Sequence, residues 1–292
     1  MEPRCGGHQC ALADRCHATV VPVMRRDVAF EGDRAGRAES MPADGTAVLR
    51  WARPPRALGR SPWAFPDPRS ADEDGVVGVG ADLHVATLVD AYRQGLFPWP
   101  HADLPLPWFC PDPRGVIPVD EMHVSRSLRR RLRTCGWTVT VDEAFAQVVE
   151  QCAAERDDGT WITTDMARAY AELHRFGWAH SIEVWDGSSL VGGVYGVQVG
   201  GVFTGESMFH RQSDASKVAL IALASRFAVA GGEVIDVQLT TPHLATIGAR
   251  DIDRDTFLRT LARLRDRNVR FALDPLPAST MAMLGRIGHT AR

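Results

Sequence analysis

No apolar run in this chain approaches the ~18 consecutive residues that a membrane-spanning helix needs. The N-terminus, Met1-Glu2-Pro3-Arg4, has no apolar segment of the secretory kind. An excess of either charge is also missing. The 33 Lys and Arg against 36 Asp and Glu leave a formal net charge of -3. That excludes a wholesale basic nucleic-acid binder and leaves room for a local basic patch. Cysteine is sparse, six in 292 residues, and without export these are expected to be reduced thiols. Several chemistry-bearing motifs are absent too. There is no Gly-x-x-x-x-Gly-Lys-Ser/Thr loop and no His-Glu-x-x-His. Gly78-Val79-Gly80 lacks the third glycine and the opening helix of a dinucleotide fingerprint.

What is present is ordinary for a globular protein with a core: 45% hydrophobic and 24% charged residues. The length allows one large domain or two small ones. Residues 1–58 are rich in Arg, Ala, Gly, Asp and Pro without a sustained period, so a mostly disordered extension is expected. Within it Cys5, Cys10 and Cys16, with His8 and His17, could hold a metal, but they form no Cys-x-x-Cys pair, so the signal is weak and an extension without a metal is expected. Residues 59–115 read as a small irregular N-terminal α+β domain. A helix is predicted over 82–94, and proline turns carry Trp99, Trp108 and Phe109. Residues 116–280 read as the main domain and 281–292 as a frayed tail.

In the main domain a helix over 123–133 places Arg126, Arg129, Arg130 and Arg133 in one stripe. As a solvated face it needs no function; as a site it suits phosphate, which guanidinium binds through a fork of donors. Strand 137–141 follows, with Asp142 predicted to cap the next helix. Thr164 is predicted to cap a second helix, through Met166, Tyr170 and Leu173. Strands 180–185, 190–199 and 202–206 are joined by Asp186-Gly187 and Gly200-Gly201. Helix 215–230, strand 233–239, helix 254–266 and strand 269–273 complete the order. This is an α/β domain with a mixed sheet, and its hairpins followed by a strand–helix–strand unit resemble the GNAT type of acyltransferase fold.

Two stretches stand out. Val202-Phe203-Thr204-Gly205-Glu206 reads as a strand that ends on a carboxylate before a polar turn, and taken alone it is a plain strand–turn–helix joint with a solvated Glu. In Ile235-Asp236-Val237-Gln238-Leu239, strand alternation puts Asp236 and Gln238 on one face. A carboxylate in so apolar a run is costly to bury unless paired or used. Ser207 and His210 leave a hydrolase reading open. It ranks low, because Gly-Glu-Ser is no nucleophile elbow.

The ordered set of motifs is more specific than any one of them. It includes Ala91-Tyr92-Arg93-Gln94-Gly95-Leu96-Phe97-Pro98-Trp99, Pro111-Asp112-Pro113-Arg114, Thr160-Trp161-Ile162, Ala169-Tyr170 and Gly192-Gly193-Val194-Tyr195-Gly196. It continues through Gly205-Glu206-Ser207-Met208-Phe209, Ala215-Ser216-Lys217, Ile235-Asp236-Val237-Gln238 and Pro242-His243. From about Pro62 to Phe257 the chain resembles the leucyl/phenylalanyl-tRNA–protein transferases.

The resemblance implies transfer of Leu, Phe or Met from aminoacyl-tRNA to the N-terminal α-amine of proteins beginning with Arg or Lys. Such marking directs them to N-degron proteolysis. It implies Asp236 and Gln238 as the catalytic pair and Glu206 as the group that recognises the acceptor side chain. It implies Phe203, Met208, Leu220, Leu223 and Ile235 as the donor side-chain pocket, with Trp99 and Trp161 at the 3′-terminal adenosine. The arginines 126, 129, 130 and 133 then meet tRNA phosphates. An activated ester needs no ATP, metal or other cofactor for aminolysis. A monomer in the cytoplasm is expected.

Phe109-Cys110, His210, Val237 and Thr241-Pro242-His243 depart from the usual pattern near the site. Two readings of other kinds are a tRNA- or N-terminal-residue-binding module without turnover and an acetyl-CoA acyltransferase. The second lacks its pyrophosphate loop.

Overall fold

The computed structural model describes residues 22–25, 50–101, 105–154 and 160–284. In chain order, β1 (Met24–Arg25) pairs with β2 (Trp63–Ala64). Then come β3 (Val76–Val79), helix α1 (Val85–Arg93), β4 (Phe97–Pro98) and β5 (Pro107–Phe109). The last three strands make a small sheet in the order β3-β5-β4.

The main part continues with β6 (Arg114–Pro118), α2 (Arg126–Thr134), β7 (Thr138–Val141), α3 (Phe145–Ala154) and α4 (Thr164–Arg175). It goes on through β8 (Ala179–Asp186), β9 (Ser189–Val199), β10 (Val202–His210), α5 (Ala215–Val229) and β11 (Val234–Gln238). The remaining elements are α6 (Pro242–Ala245), β12 (Arg250–Ile252), α7 (Arg254–Leu264), β13 (Leu276–Pro277) and α8 (Ala278–Leu284). Eight strands form one mixed sheet in the order β12-β6-β11-β10-β9-β8-β7-β13. β10 and β11 run parallel, and the other neighbours are antiparallel. This is a mixed α/β fold, with helices on both faces of the sheet.

The sheet separates two apolar clusters. One holds residues of α1, α3, α4 and α7 with the small sheet; the other holds residues of α2, α5 and α8. Helix α5 is apolar around nearly its whole circumference, and all of Val218–Ala224 is buried, as suits a helix laid against a sheet and covered by others. The tight turns follow from glycine. Gly200, with φ +56°, turns β9 into β10 where a Cβ would lie 2.3 Å from the Leu264 carbonyl oxygen. A Cβ on Gly196 would meet the Thr204 carbonyl oxygen at 2.1 Å, so β9 and β10 close on each other only with glycine there.

The structure departs from the sequence expectation in several places; one is that α8 runs to Leu284, into the stretch read as a frayed tail from 281. β10 does not stop at Glu206. It runs to His210, because Phe209 is buried opposite Gly193 and keeps the pairing with β9. β6 was not expected as a strand; it pairs with β11 and β12, more than 110 residues later in sequence. Residues 269–273 form no strand beyond one bridge between Trp51 and Ala272. Asp142 caps no helix: at φ +60° its carboxylate accepts from the Ser181 N–H and meets His180. Parts of the stretch expected to be without order are paired. Besides β1, the Ala52 N–H donates to the Phe271 carbonyl at 2.7 Å and the Arg56 N–H to the Phe176 carbonyl at 2.9 Å. The Val23 N–H donates to the Val79 carbonyl at 2.8 Å, and Val23 and Ala52 are both buried. Cys5, Cys10 and Cys16 lie outside the described residues.

Candidate active site

The site is built where two parallel strands stop pairing. β10 and β11 are in register only over Val202–Thr204 against Val234–Asp236. Beyond that point each strand carries a bulge, at Gly205/Ser207 and at Asp236/Gln238. A bulge bends its strand and re-aims a side chain. Both strands are buried up to the divergence. Residues 205–208 and 237–238 are then half-buried, and Leu239 is 46% exposed. This divergence, the notch, has Glu206 and Met208 on one strand and Gln238, followed by Leu239, on the other.

Asp236 sits at its base with no exposed surface. Arg114, 1% exposed, holds it from β6: Nε and Nη2 donate to Oδ1 and Oδ2, each at 2.7 Å. The Thr204 hydroxyl donates to Oδ2 at 3.1 Å and the Gln238 N–H to Oδ1 at 3.0 Å. Arg114 also donates to the Gly95 carbonyl, and its guanidinium lies over the rings of Phe97 and Phe257 at 4.9 and 4.4 Å. Every lone-pair direction of the carboxylate is therefore in use, as a buried charge requires. Gln238 takes a left-handed φ of +59°, an uncommon conformation for a residue with a side chain. The Asp236 contact to its N–H fixes that turn. The bulge breaks the simple alternation that would put Asp236 and Gln238 on one face.

Glu206 lies above this pair. The Tyr92 hydroxyl donates to Oε1 at 2.8 Å and the Tyr170 hydroxyl to Oε2 at 2.6 Å, and the two hydroxyls are 3.0 Å apart. Tyr195 packs edge-on against Tyr170 at 5.3 Å, so all three tyrosines of the chain gather here. Burial pushes the Glu206 carboxyl up to about 7. The hydroxyl bonds from Tyr170 and Tyr92 oppose the rise, the Asp236 charge adds to it and Arg114 reduces it. Burial and the Glu206 charge push both phenols well above their ordinary range, so they remain donors. The result is a carboxylate gripped by two hydroxyls at a notch, close to its proton near neutrality. A cation placed against it would shift it to the charged form.

The other expected site residues fall in three places. Phe203, Leu220, Leu223 and Ile235 are at most 2% exposed, in the apolar cluster beneath α5; Phe203 meets Phe227 and Phe271 at 6.1 Å each. Met208 is half-buried and packs against the same cluster. Trp99 packs on Phe109 at 5.7 Å and on His101 at 5.8 Å, and Trp161 packs against the other cluster; both are half-buried rather than exposed. On α2, capped by the Ser125 hydroxyl, Leu128 and Leu132 face inward while Arg126, Arg130 and Arg133 are exposed. Arg129 instead folds back to donate to the Val124 carbonyl at 3.1 Å. The sequence reading assigned no role to Arg114, Tyr92, Tyr170 or Thr204. The signal was an arginine inside an apolar Gly-Val-Ile strand, and tyrosine so rare that three fall in one place.

The fold and the notch define an α/β protein with two held carboxylates, Glu206 and Asp236, where two parallel strands diverge. Comparison with known proteins narrows this. Residues 116–262 match the family model "Leucyl/phenylalanyl-tRNA protein transferase", and residues 81–112 match that family's N-terminal domain. Among curated relatives, the leucyl/phenylalanyl-tRNA–protein transferase of Shewanella pealeana is 46% identical over 73% of this chain and 92% of its own. That of Tolumonas auensis is 47% identical over 70% of this chain and 89% of its own. The chain belongs to the leucyl/phenylalanyl-tRNA protein transferase family. A solved structure, that of L-PGS from Bacillus licheniformis, aligns at a TM-score of 0.33 with 12% identity, over 50% of this chain and 48% of that one.

Proposed function

We propose that this protein transfers Leu, Phe or Met from aminoacyl-tRNA to the α-amine of proteins beginning with Arg or Lys, marking them for N-degron proteolysis in the cytoplasm. The observation that carries this reading is Glu206. It is a half-buried carboxylate held by two tyrosine hydroxyls where two parallel strands diverge, in a chain of this family. A guanidinium or ammonium entering the notch pairs with it directly.

The acceptor amine, anchored by its side chain on Glu206, lies beside Gln238. Its reference pKa of roughly 7.7–8.0 leaves a reactive unprotonated fraction at neutral pH. That nitrogen attacks the carbonyl carbon of the donor ester. An amide bond forms, the ester bond to the terminal ribose breaks, and the amine proton ends on the leaving hydroxyl. The protein's contribution is placement. Gln238 orients the amine. Asp236, with its oxygens already engaged, acts by fixing Gln238 and by its negative charge rather than by taking the proton itself.

The donor side chain enters at Met208, whose unbranched thioether adapts to branched and aromatic partners. Phe203, Leu220, Leu223 and Ile235 form the wall behind it. Trp99 and Trp161 border the terminal adenosine, and Arg126, Arg130 and Arg133 meet acceptor-stem phosphates. The test is a mass-spectrometric transfer assay with Leu-tRNA and two peptides, one beginning with Arg and one with Glu. The expected result is one leucine added to the Arg peptide alone, lost in Asp236→Ala. Transfer to both peptides would remove the assigned role of Glu206; transfer to neither would remove the transferase reading.

A further inference from the structure

A polar cavity lies away from the notch, at the turn between β9 and β10. It measures about 40 Å3 and is lined by Arg53, His180, Gln198, Arg267, Asn268 and Arg270 among others. At ~10–15 Å3 for each water-sized probe it holds about three waters. That suits a small oxyanion with one oxygen left to solvent, and it is too small for a nucleotide.

The strap that crosses this end of the sheet positions the basic groups. Residues 50–56 run along 271–273: the Ala52 N–H donates to the Phe271 carbonyl and the Leu273 N–H to the Arg50 carbonyl, each at 2.7 Å. Arg270 Nε donates to the Ala52 carbonyl at 2.8 Å, which fixes the plane of its guanidinium. Arg53, one residue further on, is exposed at the rim. The acidic groups nearby are already committed. Glu233 pairs with Arg263 at 2.6 Å and Arg267 at 2.5 Å. Asp142 sits 2.7 Å from His180 Nδ1, and His180 is itself only 4% exposed. Among the described residues neither Arg53 nor Arg270 has a carboxylate partner. The wall opposite them is polar and fixed: Gln198 donates to the Gly200 and Val269 carbonyls at 3.1 and 2.8 Å.

We propose that this cavity binds one phosphate-type oxyanion between the Arg53 and Arg270 guanidiniums, with Asn268 and His180 completing its polar lining. Planar guanidinium groups recognise tetrahedral oxyanions through paired donors. The site is independent of the transfer reaction and of the notch.

The oxyanion has two possible sources, free phosphate and a nucleic-acid backbone. Inorganic phosphate is titrated into the full-length protein at low ionic strength by calorimetry, with the wild type, Arg53→Ala and Arg270→Lys. Binding of one phosphate per chain is expected, weakened about tenfold or more in each variant by loss of a charge-assisted contact. The Arg53 side chain is exposed, so thermal unfolding of unliganded Arg53→Ala is expected to match the wild type and separates lost binding from lost folding. The wild-type titration is then repeated with saturating uncharged tRNA. Displacement of phosphate identifies a backbone phosphate as the occupant, and coexistence identifies a free anion; both support the site. Absence of saturable binding, or equal affinity in Arg53→Ala and the wild type, overturns it.

Discussion

Replacing Arg114 by Met leaves the Asp236 carboxylate in place, fully buried and without its cation. In the wild type the pair is 1% and 0% exposed and joined by two bonds of 2.7 Å. The Thr204 hydroxyl and the Gln238 N–H remain as donors, but neither carries charge. Breaking one side of a buried pair costs about 3–5 kcal/mol. Against a total stability of roughly 5–15 kcal/mol that is a large fraction. The charge makes up most of the cost, because Met retains much of the stem that packs between Phe97 and Phe257. Urea denaturation of Arg114→Met is expected to give a midpoint well below the wild type with an unchanged slope. The decisive comparison is a cycle with Asp236→Asn. Each single variant strands one charge and the double strands none, so the double is expected to lose at least about 2 kcal/mol less than the sum of the singles. A loss under about 1 kcal/mol for Arg114→Met, or simple additivity, refutes the claim that this pair holds the base of the notch.

Four further outcomes follow from the geometry. With the Glu206 carboxyl raised to about 7, affinity for an Arg-initiated peptide rises with pH through 7 and levels above it; calorimetry in two buffers is expected to detect proton release on binding near pH 6.5. The same shift acts on folding: it stabilises the native state below the ordinary carboxyl range and is lost as pH rises through 7, so Glu206→Gln removes that part of the pH dependence of unfolding. Tyr92→Phe and Tyr170→Phe each delete a donor to Glu206, moving its titration further up and raising acceptor KM about tenfold or more at pH 7, with donor KM unchanged. Exchanging Arg126, Arg130 and Arg133 for Gln is expected to lower the slope of log affinity against log salt for tRNA by up to ~0.9 per lost phosphate contact, measured by filter binding.

The antiparallel core of the fold is written locally. Asp186-Gly187 and Gly200-Gly201 mark the turns of β8, β9 and β10, and the apolar runs between them need no distant partner to be read. β6 is different: Arg114–Pro118 is short, begins with a charge and ends on a proline, and only its pairing with β11 and β12 makes it a strand. The end of β10 was misread for a related reason. Glycine followed by a carboxylate resembles a terminus, yet the glycines of β9 accept Phe209 and prolong the pairing. In the site, Asp236 stood out as a carboxylate in an apolar strand, whereas Glu206 alone read as a solvated strand end and drew notice, like Gln238, through the ordered motifs. Their supports could not be picked out. Arg114 reaches Asp236 across 122 positions, and Tyr92 and Tyr170 come from two helices that meet only in the folded chain. Phe203, Leu220, Leu223 and Ile235 show the opposite limit, since a core wall and the back of a pocket have the same composition.

The role of Glu206 is tested most directly by steady-state transfer with Glu206→Gln, an exchange that keeps size and removes charge. The account predicts a large rise in KM for the Arg-initiated peptide, little change in KM for Leu-tRNA, and a smaller difference between Arg- and Gln-initiated peptides than the wild type shows. Equal losses toward donor and acceptor, with the preference for Arg intact, would contradict it.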